Sequence, residues 1–382
     1  MVYCQFLKLF VHTYCLYLFN EKKKTKIFFF NPYPAVGGVD TVLKKFINSL
    51  DLRYYNIEYL TLRKCNYKFN KNITFTNLKK NSVLLSYFEI IRLLLKNKNE
   101  KKIFFSVQYF TNIWTVLFLK KIKQVKIFLY EVNHLDELSN YKNPKEFIKK
   151  NIIKFLIKTL YTRADLIVGN SEELSKDLSK YIKKKVLTIY NPCFYGFKKK
   201  INENKLAEKI NILNVARLDF QKDHYTLLKA ISILKNKNRI KLILVGRGEY
   251  FDKIKNFATR NQINLKIIQY QTNLKQFYLK ADLYISTSLY EGLPTTMVEA
   301  ASYNIPIISS NFRSGSKEIL NNGKNGHIFK VKDYVYLAYL ITKFIDDKKS
   351  FVKKTKNFRY SLKKFSHKEN IQTFKSLLNK LT

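Results

Sequence analysis

"LYISTSLYEGLPTTMVEAASYNIPIISSN" (residues 283–311) decides the fold. An apolar run, LYISTS (283–288), meets a Gly-Leu-Pro turn at 292–294. A helical pattern starts near Thr295, and a second apolar run, IPIISSN (305–311), follows. Strand, helix and strand at this spacing form a parallel crossover unit, whose strands are buried on both faces and therefore read as nearly unbroken apolar runs. The turn also carries Glu291, and Glu299 lies about one helical turn further on. Two acids this close need explaining in a chain with 71 Lys+Arg, 28 Asp+Glu and a formal charge of +43.

The same alternation extends in both directions. Upstream of residue 195, strands are expected at 26–31, 55–62, 72–78, 102–109, 126–133, 166–170 and 186–192. Helices are expected at 39–51, 83–97, 111–122, 145–164 and 171–182. The pattern breaks at "NPCFYGFKKKINENK" (191–205) and restarts with strands at 211–218, 241–246, 265–270, 283–288, 305–311 and 327–331. After residue 333 only helical pattern remains. The expected fold class is α/β: two doubly wound, Rossmann-like domains facing across a cleft, with a C-terminal helical tail. The expected divisions are an apolar extension (1–25), a first domain (26–195), a second domain (196–350) and the tail (351–382).

The charge calls for a polyanionic partner, namely nucleic acid, an anionic membrane face or phosphate-bearing substrates. Richness in Lys, Asn, Ile, Phe and Tyr with few Gly, Pro and Ala also fits codon bias, which dilutes that signal. The aromatics fall mainly in the strands, where core packing accounts for them, so a nucleic-acid module is not expected. Four scattered cysteines (Cys4, Cys15, Cys65, Cys193) form no CxxC and no metal-ligand spacing, which suits a reducing cytoplasm. The run 2–19 reads as a short membrane contact, a leader or a packed extension. It is barely long enough for a span.

Ligands of such sheets bind beyond the carboxyl ends of the strands, and the scarce glycines fall largely there: Gly37 and Gly38, Gly246 and Gly248, and Gly292. Turn chemistry explains each of them singly as well. Arg217 and Lys222 in "ARLDFQKDHYTLLKA" flank a strand-to-helix turn, where two cations neutralise a diphosphate. Alone they read as a pair of surface bases, common in a chain this basic. The start of the 295 helix offers free amides and a positive dipole to a phosphate. Glu291 and Glu299 suit sugar hydroxyls, because an ionised carboxylate accepts two hydrogen bonds at once.

Taken together, Arg-x4-Lys after a strand, Gly-x-Gly in "LVGRGEY" and Glu-x7-Glu in "YEGLPTTMVEA" resemble retaining glycosyltransferases of family 4, which have the two-domain architecture called GT-B. "NPYPAVGGVDTVLKKFINSL", "ADLIVGNSEELSKDL", "LTIYNP" and "SGSKEILNNGKNGHIF" extend the resemblance over nearly the whole chain from residue 26. "ISSNFRSGSKEIL" is similar to bacterial enzymes of lipid-linked glycan and surface polysaccharide synthesis.

The resemblance implies a nucleotide-sugar donor, with UDP the expected nucleotide, and a lipid-linked or polysaccharide acceptor. It assigns Arg217 and Lys222 to the diphosphate, Glu299 to the ribose and Glu291 to the donor sugar. Gly292, Leu293, Pro294 and Thr295 line the pocket, Gly246 stands beside it, and Gly37 and Gly38 face the diphosphate across the cleft. His134 in "YEVNHLDEL" matches a position near the reacting sugar, and it also reads as an ordinary loop histidine. Two departures stand out: Ala216 precedes Arg217, and Asp223 follows Lys222 where the family usually has Gly. With no Asp-x-Asp motif, leaving-group stabilisation without a metal or other cofactor is expected. A GT-B epimerase and a transferase with a soluble acceptor are the alternatives. Helix 145–164 places Lys150, Lys154 and Lys158 on one face and Phe147, Ile148, Ile152, Phe155, Leu156 and Leu160 elsewhere. It reads as a basic amphipathic helix for peripheral contact with an anionic membrane, or as a core helix with a solvated lysine face.

Overall fold

The computed structural model describes residues 24–382 except 35–36, 64–68, 71, 97–99, 140, 142, 199–208, 270 and 272. The apolar run at 2–19, three of the four cysteines and most of the basic tract before residue 209 lie outside the described residues.

The first sheet contains β1 (Thr25–Phe30), β2 (Tyr55–Thr61), β3 (Thr74–Asn77), β4 (Lys102–Val107), β5 (Val125–Glu131), β6 (Leu166–Gly169) and β7 (Leu187–Thr188). All are parallel, in the order β3-β2-β1-β4-β5-β6-β7. The intervening helices are α1 (Gly38–Ser49), α2 (Val83–Leu95), α3 (Tyr109–Leu119), α4 (Pro144–Leu160) and α5 (Glu172–Ile182). β1 shows why its sequence is apolar without alternation. Phe28 and Phe30 enter the core beneath α2–α4, while Ile27 and Phe29 enter the opposite core beneath α1. Side chains at Ser82, Asn143 and Ser171 cap α2, α4 and α5 at their starts. The seventh strand, read from sequence as seven residues, narrows to Leu187–Thr188 as the chain leaves the sheet.

The second sheet repeats the plan with β8 (Ile210–Val215), β9 (Ile240–Val245), β10 (Leu265–Ile268), β11 (Leu283–Ser286), β12 (Ile307–Ser310) and β13 (His327–Phe329), in the order β10-β9-β8-β11-β12-β13. Its helices are α6 (His224–Ser232), α7 (Phe251–Arg260), α8 (Lys275–Lys280), α9 (Thr295–Ser302) and α10 (Ser316–Leu320). The tail is helical: α11 (Tyr334–Asp346), α12 (Lys348–Thr355), α13 (Phe358–Ser361) and α14 (His367–Asn379). α11 packs on the second sheet, but α14 returns to the first. There Phe374 stacks on Phe46 of α1 with centroids 4.3 Å apart.

In each sheet the strand order reverses beside the first strand of the unit, between β1 and β4 and between β8 and β11. A crevice opens at such a reversal, because the connecting helices leave toward opposite faces.

Candidate active site

The reversal in the second sheet brings together two motifs that lie some seventy residues apart in the chain. β8 leads into the loop bearing Arg217 and Lys222, and β11 into the loop bearing Glu291. The ammonium of Lys222 pairs with the Glu291 carboxylate, and the two side chains are only 14% and 11% exposed. Ser288 Oγ donates to Glu291 Oε1 at 2.7 Å, and Gln221 Nε2 donates to Oε2 at 3.3 Å and to the Tyr290 carbonyl at 2.8 Å. Arg217 differs from Lys222 in exposure, at 65%. It is held by Asp219 Oδ2 at 3.0 Å and Gln221 Oε1 at 2.9 Å. Gln221 therefore links Arg217 to Glu291, a role that its identity gave no signal for in the sequence.

The conformation of Asp223 explains why glycine also suits this position. Its φ of 43° and ψ of 52° lie in the left-handed region, which glycine enters without strain and Asp enters with help from its short side chain. The carboxylate supplies that help, accepting from Thr226 N at 3.4 Å and Thr226 Oγ1 at 2.6 Å to cap α6. Beneath it, burial and the nearby Lys222 push the His224 imidazole down to about 3, so the ring is neutral against Asn214.

α9 begins at Thr295 behind Pro294, with no side chain capping its first turn. Those amides and the dipole point at the crevice end of β11. One turn on, Glu299 Oε2 accepts from Tyr278 Oη at 2.8 Å. Burial raises the carboxyl's pKa; the Tyr278 bond and Lys45, which reaches over from α1, oppose the shift without cancelling it.

The glycines divide by what surrounds them. A Cβ on Gly292 would stand 1.7 Å from the Val132 carbonyl of the first domain, so this turn is wedged between the domains. Asn191 Nδ2 donates to the Leu293 carbonyl at 3.1 Å, and Ser314 Oγ to the Gly292 carbonyl at 2.8 Å. Gly246 and Gly248 are filled from behind: added Cβ atoms would meet the carbonyls of Ala216 and Leu218 at 1.8 and 2.2 Å. Their first task is thus to let the β9 loop lie against the Arg217 loop. Among the described residues, Gly38, at the start of α1, has nothing within 4 Å of an added Cβ, and Gly37 has only Asp40 at 3.8 Å.

On the first-domain side, His134 follows β5 and is 2% exposed. Its Nε2 lies 3.0 Å from Asp177 Oδ2, and Nδ1 accepts from Asp136 N at 3.1 Å. Burial disfavours the charged ring, but the two aspartates outweigh it and hold the imidazole above its ordinary value. Arg313 of the second domain lies 3.7 Å from both aspartates, so His134 sits within an ionic contact between the domains. Further contacts join the same edge. Ser314 N donates to Glu173 Oε2 at 2.8 Å, and Glu318 accepts from the amides of Glu172 and Glu173, capping α5 from the other domain.

Two carboxyls that the sequence reading did not single out lie deeper. Burial pushes Glu131 at the end of β5 up to about 7, against hydrogen bonds from Tyr161, Val132 N and Asn112. Burial also raises Glu137, which accepts from Asn133 at 2.8 Å and lies within the field of Arg217 across the crevice. Only the fold gathers these groups, since a carboxyl at a strand end or in the turn after it carries no sequence mark of its depth. Among the described residues, no three His, Cys, Asp or Glu side chains stand close enough to hold a metal ion.

Two parallel, Rossmann-like sheets facing a crevice, followed by a helical tail, define a GT-B fold. Residues 196–365 match the family described as glycosyl transferases group 1. An uncharacterized glycosyltransferase of Methanocaldococcus jannaschii is 26% identical over 79% of this chain and 77% of its own length. An α-1,4-N-acetyl-D-galactosaminyltransferase of Campylobacter jejuni, named for an undecaprenol-diphosphate-linked substrate, is 27% identical over 55% of this chain and 58% of its own. The chain thus spans between about half and three quarters of the length of these two curated relatives. The Anabaena protein HepE, solved with UDP and glucose, superposes with a TM-score of 0.74 over 93% of this chain and 100% of its own, at 16% identity. The group 1 match and these relatives indicate a glycosyltransferase.

Proposed function

We propose that the chain is a retaining glycosyltransferase of family 4. In this reading it transfers a hexose or N-acetylhexosamine from a nucleotide sugar, with UDP as the nucleotide, to a lipid-linked or polysaccharide acceptor in bacterial cell-surface glycan synthesis. The observation that carries the reading is the Lys222–Glu291 pair at the β8/β11 reversal, with Arg217 beside it and the uncapped start of α9 next to it. A diphosphate entering there meets two cations and a helix N-terminus, and a sugar meets two carboxylates. The nucleotide of HepE and the undecaprenol-linked substrate of the Campylobacter enzyme support the choice of donor and acceptor.

In the proposed reaction Lys222 and Arg217 neutralise the diphosphate as the bond from the anomeric carbon to the phosphate oxygen breaks. The acceptor hydroxyl forms its bond on the same face, and its proton passes to the departing phosphate oxygen. Glu299 takes the ribose hydroxyls and Glu291 the donor-sugar hydroxyls, so neither acts as a nucleophile. The cations and the α9 dipole supply the stabilisation, and no metal is required. Lys222 leaves Glu291 for the diphosphate when donor binds, which frees the carboxylate for the sugar. The enzyme works in the cytoplasm on an acceptor held at the membrane, with no nucleic-acid partner.

The test is a thermal-shift panel of UDP-, GDP- and ADP-sugars followed by turnover on lipid-linked and soluble acceptors. A UDP-sugar shift with anomeric retention in the product is expected. No shift with any nucleotide sugar, or an inverted product, would overturn the reading.

A further inference from the structure

Helix α4 lies the opposite way round from its sequence reading. Lys150 is tucked against Glu146 at 3.4 Å, and Lys154 donates to Ser139 Oγ at 2.9 Å. The side turned outward is apolar: Ile148, Ile152 and Phe155 are exposed, the last at 64%, while Ile153 and Ile157 enter the core. The neighbouring helices on the same face of the first sheet repeat this. α2 exposes Leu84 and, at 66%, Phe88, and α3 exposes Phe110 beside the partly covered Trp114. α3 packs between α2 and α4, so these side chains form one surface over three helices.

Basic residues punctuate the surface. Lys145, Lys149, Lys158 and Arg163 are exposed on and just after α4, as is Lys96 just after α2; Lys120 at the end of α3 is exposed too and pairs with Asp165 at 3.2 Å. The acids there are already engaged, Glu89 with Arg92 at 3.2 Å and Glu146 with Lys150. Exposed apolar area ringed by an excess of positive charge is what an anionic bilayer complements. A second protein copy, carrying the same lysines, would bring like charges together.

The placement fits the crevice as well. Helices of a parallel sheet begin at the carboxyl edge of the strands. Leu84, Phe88, Phe110 and Ile148 all lie in the first halves of their helices, next to the crevice rim. Among the described residues no helix is long and apolar enough to cross a membrane, so contact through this face is peripheral.

We propose that the outer face of α2, α3 and α4 is a bilayer-docking surface that seats Phe88, Ile152 and Phe155 in the interface of an anionic membrane and sets the crevice mouth against it. Its relevance to turnover rests on the proposed lipid-linked acceptor, but vesicle binding does not. Vesicle binding with inert lipid-linked acceptors would therefore count against the acceptor reading alone.

The experiment is sedimentation of the full chain with phosphatidylcholine vesicles, with and without phosphatidylglycerol. Wild type is expected to sediment with the anionic vesicles and to release at high salt. The triple variant Phe88→Ser, Ile152→Ser, Phe155→Ser should lose about tenfold or more in partitioning, with its melting temperature and nucleotide-sugar thermal shift unchanged. Should that variant fail to fold, Lys149→Glu with Lys158→Glu decides: weakened binding to anionic vesicles supports the proposal. The proposal is overturned if wild type does not sediment, or if either folded variant binds as wild type does. It is also overturned if the triple variant turns a dimeric wild type into a monomer while vesicle binding is unchanged.

Discussion

Replacing Lys222 by Met removes the cation from beneath Glu291 while nearly preserving volume, so the response isolates charge. At contact distance and an effective dielectric near 20, the pair's attraction is about 4 kcal/mol, and desolvation of the two ions offsets much of it. The net value of the intact pair is therefore small, whereas stranding one member of a buried pair costs about 3–5 kcal/mol. Glu291 keeps the Ser288 hydroxyl and the Gln221 amide, and it retains slight solvent access. We therefore expect a loss nearer about 2 kcal/mol. Glu291→Gln should cost about 1 kcal/mol, since the freed lysine can turn toward water. The double variant should cost less than the sum by about 1–2 kcal/mol. Urea unfolding of the four proteins measures the cycle, and effects that add within about 0.3 kcal/mol would refute the buried pair. The same variants test catalysis. Losing a group that meets charge developing on the diphosphate should lower kcat about 10²–10³-fold in Lys222→Met. A kcat near wild type would remove Lys222 from the diphosphate role.

Three further outcomes follow from the geometry. Gly292→Ala drives a Cβ into the Val132 carbonyl, so it should push the domains apart and cost about 2 kcal/mol or more, visible as a lowered melting temperature and a weakened donor-induced shift; a wild-type melt would show that the turn is not wedged. Glu131 has its folded pKa raised from 4.5 to about 7, so between those values the folded state binds more protons than the unfolded one. Its contribution should fall as pH rises through that window and level off above it, with Glu131→Gln flattening this part of the pH–stability curve. Turnover after exhaustive chelation should match the untreated enzyme, and activity that vanished and returned with a divalent ion would contradict leaving-group stabilisation by Arg217, Lys222 and α9 alone.

The sequence by itself determined the two-sheet plan. Parallel strands buried on both faces must be apolar throughout, so runs such as KIFFFN and KLILVG could hardly be anything else. Strand seven is shorter than its apolar run, because the apolar residues after Thr188 serve packing outside the sheet: Ile189 joins the first domain's core. The motifs were legible because each is local, a few residues at fixed spacing.

What the motifs do to one another was not local. The strand reversal between β8 and β11 pairs Lys222 with Glu291, and domain contact presses Gly292 onto Val132 and brings Arg313 to the aspartates beside His134. Helix α4 shows the limit most clearly. Its periodicity offered two faces, one lysine-bearing and one apolar, and a helical wheel cannot say which of them meets the sheet. That choice depends on which residues the β5 and β6 connections turn inward. The structure buries Ile153 and Ile157 and leaves Ile148, Ile152 and Phe155 facing out. Chain order and hydrophobic pattern thus decided the architecture, because backbone pairing and burial act along each segment. The tertiary structure decided the charge partners, the depth of each carboxyl and the outward face of each helix, because these depend on residues that meet only after the domains have packed.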